Sequence, residues 1–236
     1  TYTYDNDFGP NHITWRATVS EAGNIFSGLW SIFGKHGQKK IMGTPFSQFV
    51  KAETQLVWTR RLSEQQKLAT RFYIGAAHAY GNVTEMPFRE QFYIGGANSL
   101  RAFTVRTVGP GSYRPKYRSV YDYYDQTGTF KVEANCEWRF PLLGYFKGAV
   151  FVDAGNIWLL SDDNYRPGGK LRMKNFFKEL ALGTGVGLRF DMGMLVVRAD
   201  LGIGIHAPYD TGRSGYYNME SFGKSLAFHL AIGYPF

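Results

Sequence analysis

Cysteine is nearly absent from this 236-residue sequence, and a lone Cys136 without an intrachain partner excludes a disulfide scaffold. Charged residues are also scarce, at 19% against the roughly 25% usual for a soluble domain. Aromatic residues instead reach 17%, which removes the disordered class, since that class combines few aromatics with high net charge. No stretch approaches the ~18 uninterrupted apolar residues of a membrane-spanning helix. No signal-peptide pattern is present, and the chain opens on Thr1 rather than Met, which reads as a processed or truncated product. The five histidines lack metal-ligand spacing and there is no Gly-x-Ser-x-Gly elbow, so no metal, cofactor or catalytic residue is expected. Gly202-Ile203-Gly204-Ile205-His206-Ala207 scans as a dinucleotide fingerprint but sits inside a strand pattern with no helix after it. The net charge of +8 permits contact with nucleic acid or an anionic surface. No nucleic-acid motif lies behind it.

What the sequence has is a period of two. Phe130, Val132, Ala134, Cys136, Trp138 and Phe140 alternate with Lys131, Glu133, Asn135, Glu137 and Arg139, the pattern of a strand with one apolar and one polar face. The same alternation, clearer in some segments than others, predicts eight strands over 12–20, 50–58, 68–79, 130–140, 146–158, 180–190, 194–205 and 225–236, and no helix. In the last of these, Leu226, Phe228, Leu230, Ile232, Tyr234 and Phe236 fall on one face.

The connections alternate in length. About 25 residues follow the first strand, then a tight turn at 61–67, then about 50 residues, a short turn at 141–145, about 20, a short turn at 191–193, and about 18. Such loops argue against a compact soluble domain. A meander of amphipathic strands with short turns at one end and long loops at the other is the pattern of an outer-membrane β-barrel. The competing arrangement is a soluble up-and-down barrel whose apolar face points inward.

In the membrane arrangement Arg16, Lys51, Glu53, Lys131, Glu133, Glu137, Arg139, Asp153, Arg189, Arg198 and Asp200 all face the lumen, where charges of both signs must pair or be wetted. The basic run Lys35–His36–Gly37–Gln38–Lys39–Lys40 falls in an outside loop, placed either in solvent or against phosphorylated lipopolysaccharide head groups. Gly183, Gly185 and Gly187 share one strand face and leave room for a bulky group against the wall.

Three motifs lie in a fixed order. The longest loop, about 81–129, holds Gly95-Gly96-Ala97-Asn98-Ser99-Leu100-Arg101-Ala102-Phe103; a later strand holds Phe151-x-Asp153-x-Gly155; and the chain closes on Phe228-x-x-x-Ile232-Gly233-x-x-Phe236. Together they resemble the loop, inner-wall and terminal-strand motifs of the BamA/TamA superfamily of outer-membrane assembly and translocation barrels (the bacterial surface antigen type), with Leu100 in place of Val and Ala102 in place of Gly. The resemblance runs over 1–236, and Thr1–Asp5 looks like that family's lead-in to an earlier strand. It implies an all-β, antiparallel transmembrane barrel in the bacterial outer membrane, these strands being the C-terminal half of sixteen. It implies that the long loop folds into the lumen, where Arg101 pairs with Glu137 and Asp153. A guanidinium fork suits that task because it can bond two carboxylates at once.

The implied function is non-enzymatic: inserting, assembling or translocating client proteins, with a weak seam at the last strand. The implied partners are outer-membrane lipid and lipopolysaccharide, unfolded outer-membrane clients and accessory lipoproteins, and no nucleic acid. The alternative is a free-standing eight-strand barrel serving as anchor, adhesin or narrow pore. An outer-membrane acyltransferase or protease is a third possibility, but His78, His206 and His229 lack motif partners. An eight-strand lumen is filled by its own side chains, so a loop of about 50 residues favours a piece of a larger barrel.

Overall fold

Period-two alternation becomes a single antiparallel sheet in the computed structural model, which describes residues 1–32, 39–41, 44–115 and 126–236. Its strands are β1 (Tyr2–Phe8), β2 (Asn11–Ala22), β5 (Phe49–Arg61), β6 (Lys67–Ala79), β7 (Phe130–Leu143), β8 (Phe146–Trp158), β9 (Ala181–Asp191), β10 (Val196–His206) and β11 (Leu226–Ile232). They pair strictly in sequence order. A separate two-stranded ribbon joins β3 (Lys40–Ile41) to β4 (Thr44–Pro45). Among the described residues no ladder joins β1 to β11, so the sheet has two open edges.

Three expectations need correction. Among the described residues the main sheet has nine strands rather than eight, because Tyr2–Phe8 pairs with β2 along its whole length, from Tyr2 opposite Ala17 to Phe8 opposite Asn11. A helix exists, α1 (Asn24–Ile32), besides a single turn at Phe222–Ser225. The last strand stops at Ile232, where Gly233 takes φ +84°. Tyr234 and Phe236 therefore do not continue the outward row of Phe228, Leu230 and Ile232.

The faces decide between the two barrel arrangements. Glu133, Glu137, Asp153, Arg189, Arg198 and Asp200 are buried, whereas Trp15, Leu56, Phe72, Trp138, Val150, Val186, Phe228 and Leu230 are exposed. That is the inverse of a water-soluble barrel and what a lipid-facing wall requires. No helix among the described residues is long and apolar enough to cross a membrane. The sheet curls around its charged face: Arg71 on β6 comes within 5.3 Å of the Phe236 ring, beyond β11. Tight turns at Gly9–Pro10, 62–66, Gly144–Tyr145 and 192–195 sit at one end, and every long connection sits at the other.

Candidate functional site

The loop between β6 and β7 does not stay at the rim. Phe92 and Gly128 exchange backbone hydrogen bonds of 2.8 Å at its base. Its tip is then closed by Arg106 N–H to Ile94 O (2.9 Å), Gly96 N–H to Phe103 O (2.8 Å) and Phe103 N–H to Leu100 O (3.1 Å). Gly95 and Gly96 take φ +96° and +93°, a region costly to any residue with a Cβ. A Cβ on Gly95 would also stand 2.2 Å from Thr104 O. Ala102 avoids the left-handed region, where Arg106 is the only non-glycine among the described residues, so alanine in place of the family's glycine causes no backbone strain. Leu100, Ala102 and Phe103 are buried, with Phe103 in the apolar cluster that also holds Ile94 and Val108.

Arg101 is the pivot of the tip. Its Nη2 and Nε donate to the two oxygens of Asp153 at 2.8 and 2.9 Å, its backbone N–H donates to Asp153 Oδ2 at 3.0 Å, and its Nη1 donates to Glu137. The guanidinium also lies 3.6 Å from the centre of the Phe151 ring, a cation–π contact. All three charged groups are fully buried. The other oxygens are shared. Arg139 Nε donates to Glu137 at 2.7 Å and Arg189 Nη2 at 3.1 Å, while Asn135 Nδ2 donates both to Asp153 (2.9 Å) and to Ser99 O (3.0 Å). Arg198 continues the network, pairing with Asp200 at 2.8 Å and donating to the loop's Ala97 O at 2.8 Å. Buried charges on this scale are tolerable only because almost every one has a partner.

The wall is shaped for the tip. A Cβ on Gly183 of β9 would lie 2.2 Å from the Ala102 Cβ, and one on Gly202 of β10 would lie 2.2 Å from Arg101 O and 2.7 Å from Ala102 Cα. Gly155 of β8 makes room for Ile94, and Gly185 for the Phe151 ring. The predicted wall glycine Gly183 thus receives the loop. Gly202, dismissed with the failed fingerprint, does so more closely.

The edge strand reaches the same arginine. His229 on β11 places Nε2 3.0 Å from Arg101 O, and since the carbonyl accepts, that nitrogen carries the proton. Beyond the bend at Gly233, Tyr234 and Phe236 turn into the lumen. Arg139 lies 4.2 Å from the Tyr234 ring and 5.8 Å from the Phe236 ring, and Arg101 lies 6.0 Å from the latter. Of the residues predicted for the seam, Gly233 makes the bend, Phe236 joins the lumenal cluster and Phe228 faces outward. Asn135, Arg139, Arg189, Gly202 and His229 complete the site although none is a named residue of the three co-ordered motifs. Their one signal was their place on the inward face of period-two strands. The basic run Lys35–Lys40 lies outside the described residues except for Lys39 and Lys40.

A second tie holds the outer loops together. Arg114 bonds Glu220 and donates to Asp210 O at 3.3 Å, while Lys224 donates to Glu220 at 2.6 Å. These two cations hold the Glu220 carboxyl down at about 2. A depressed carboxylate pKa stabilises the fold above the unfolded value and loses that contribution as pH falls. The connection at 207–225 should therefore become more protease-sensitive as pH drops from about 4.5 toward 2, and Glu220→Gln should abolish that change.

Residues 34–236 match the family model of the Omp85 superfamily domain. The chain is 30% identical over 141 residues to the outer membrane protein assembly factor BamA of Neisseria meningitidis serogroup B, an overlap covering 55% of this chain and 17% of that protein. Its fold resembles BamA from Haemophilus ducreyi lacking POTRA domains 1-3, with TM-score 0.56 and 17% identity over 98% of this chain and 41% of that one. It also resembles CdiB from Acinetobacter baumannii, with TM-score 0.50 and 16% identity over 97% and 31% of the two chains. The chain thus spans well under half the length of these relatives.

Proposed function

The chain belongs to the Omp85 superfamily, and on that premise we propose that it forms the C-terminal part of a barrel that inserts, assembles or translocates other proteins at the membrane. Members of this family are bacterial outer-membrane β-barrels, and the inverted faces of this sheet suit that location. In this reading the protein works without catalysis, on unfolded outer-membrane clients.

The observation that carries the reading is that one residue, Arg101, is held at once by the inner wall and by the edge strand. The loop tip and β11 therefore form a mechanical unit. An open strand edge presents unpaired N–H and C=O groups, which template an incoming strand by β-augmentation. In the proposed cycle the lumenal loop, latched by Arg101, Glu137 and Asp153, braces the wall while β11 offers its outer edge to a client. The bend at Gly233 weakens the seam by ending the ladder early. Its N–H still bonds Val196 O at 2.8 Å, but three further residues make no strand.

The test is a photo-crosslinking side chain at Leu230, exposed on β11. It should capture a folding client strand during assembly. Capture of lipid alone, with client barrels folding normally when the protein is depleted, would leave a passive anchor or pore. The bend has its own consequence. Gly233→Val places a β-branched residue at a positive φ, a conformation that costs a side chain about 1–2 kcal/mol. The segment should straighten and Tyr234 and Phe236 leave the lumen. A nitroxide label on Phe236→Cys should then gain access to oxygen relative to a water-soluble nickel chelate in the Gly233→Val background, as the position moves from the lumen to the lipid-facing row.

A further inference from the structure

The helix α1 is built the wrong way round for a water-soluble surface. Ile25, Phe26, Leu29 and Ile32 fall at i, i+1, i+4 and i+7, one stripe of an amphipathic helix. These side chains are 73%, 54%, 48% and 77% exposed. Asn24, Ser27 and Ser31 form the opposite stripe, in which Ser27 is half-buried and Asn24 and Ser31 are exposed. Two of these residues are tied to the rest of the chain: Asn24 Oδ1 accepts a hydrogen bond from Tyr80 Oη at 2.9 Å, and Ser27 Oγ accepts one from Lys39 Nζ. No charged residue lies in the first or last turn. A soluble helix buries its apolar stripe; this helix buries none of its residues and leaves that stripe exposed.

Position says what medium the stripe meets. α1 begins directly after β2, at the end of the sheet that carries the long loops, and β2 itself exposes Trp15 and Val19 on the lipid-facing side. Its place in the chain sets the apolar stripe next to the rim of that lipid-facing row. Lys39, bonded to Ser27, brings to the helix the positive charge that favours an anionic head-group layer.

We infer that α1 is an interfacial anchor lying in the plane of the bilayer, with Ile25, Phe26, Leu29 and Ile32 in the acyl chains at the outer head-group boundary. This rests on the membrane-barrel reading above and extends it. The anchor is bonded to the root of the latch loop. Besides the Tyr80–Asn24 bond, Asn82 Nδ2 donates to Lys39 O at 2.7 Å and to Phe46 O at 2.8 Å. The bilayer therefore fixes the point from which the lumenal loop departs.

The test uses spin labels in the protein reconstituted into vesicles of phosphatidylethanolamine and phosphatidylglycerol, with Cys136→Ser as background. Single labels go on Leu29→Cys, on Ser31→Cys across the helix, and on Val150→Cys in the lipid-facing row of β8. The Leu29 label should be open to oxygen, shielded from a water-soluble nickel chelate, and about 5–10 Å below the phosphates; the Ser31 label should show several-fold greater nickel access. Equal nickel access at Leu29 and Ser31, with the Val150 label still in lipid, would overturn the anchor alone. A Val150 label in water would overturn the membrane-barrel reading and the anchor with it. Dipolar broadening between Leu29 labels on different molecules would show a protein partner on that face, which also contradicts the inference.

Discussion

Arg101→Ala should free the lumenal loop and cost more than any other single change to the site. Glu137 would keep Arg139 and Arg189. Asp153 would be left with Asn135 as its hydrogen-bonded side-chain partner, a fully buried carboxylate without a facing cation. Removing one partner of a buried pair costs about 3–5 kcal/mol, because the remaining charge stays desolvated. The penalty should appear first as local release rather than unfolding, since the strand ladders do not depend on Arg101. Proteolysis between 95 and 106 should rise sharply while the barrel keeps its native electrophoretic mobility. Arg101→Lys should behave nearly as badly, because an ammonium cannot present the fork that spans Glu137 and Asp153. Asp153→Asn together with Arg101→Leu should recover part of the stability, since the Asp153 charge is gone and Glu137 keeps Arg139 and Arg189. An Arg101→Ala loop as protease-resistant as the parent would remove the latch from the account.

Gly202→Ala should have the second-largest effect, and for a purely steric reason. The new methyl would meet Arg101 O at 2.2 Å and Ala102 Cα at 2.7 Å, both main-chain atoms of a tip closed by its own hydrogen bonds. Neither can swing aside as a flexible side chain would, so the tip must lift from β10. Overpacking of this kind costs about 1–3 kcal/mol, occasionally more. Lifting the tip also breaks the Arg101 contacts, so loop proteolysis should match that of Arg101→Ala. Gly223→Ala is the control, because a Cβ there meets nothing within 4 Å and should leave the protein unchanged. The His229→Ala variant should be milder, about 1 kcal/mol for one hydrogen bond.

Much of this arrangement was legible in the sequence, where side-chain period and motif order carry it. The alternation along β7 puts Glu133, Glu137 and Arg139 inside and Trp138 outside without reference to any neighbour, and three co-ordered motifs point to the superfamily that 34–236 match. What escaped depends on tertiary contact or on weak local pattern. Tyr2–Phe8 interleaves Tyr2, Tyr4 and Phe8 with Asp5, Asn6 and Asp7, too polar a run to stand out until β2 pairs with it. α1 is only nine residues long and contains Gly28, so its propensity is poor and its stability must come from its surroundings. The inward turn of Tyr234 and Phe236 was hidden because both keep the period of the preceding strand; only the positive φ of Gly233 breaks it. The role of Gly202 follows from a loop that arrives from a hundred residues earlier in the chain, which no local pattern encodes.

The most direct measurement of the central claim is the amount of newly folded outer-membrane barrels in cells depleted of this protein and supplied with either the parent or Arg101→Ala, read by heat-modifiable gel mobility. Depletion should lower the amount of folded clients, and the parent should restore it. Arg101→Ala should fail to do so while reaching the membrane at normal abundance. Full restoration by Arg101→Ala, or client barrels indifferent to depletion, would contradict that claim.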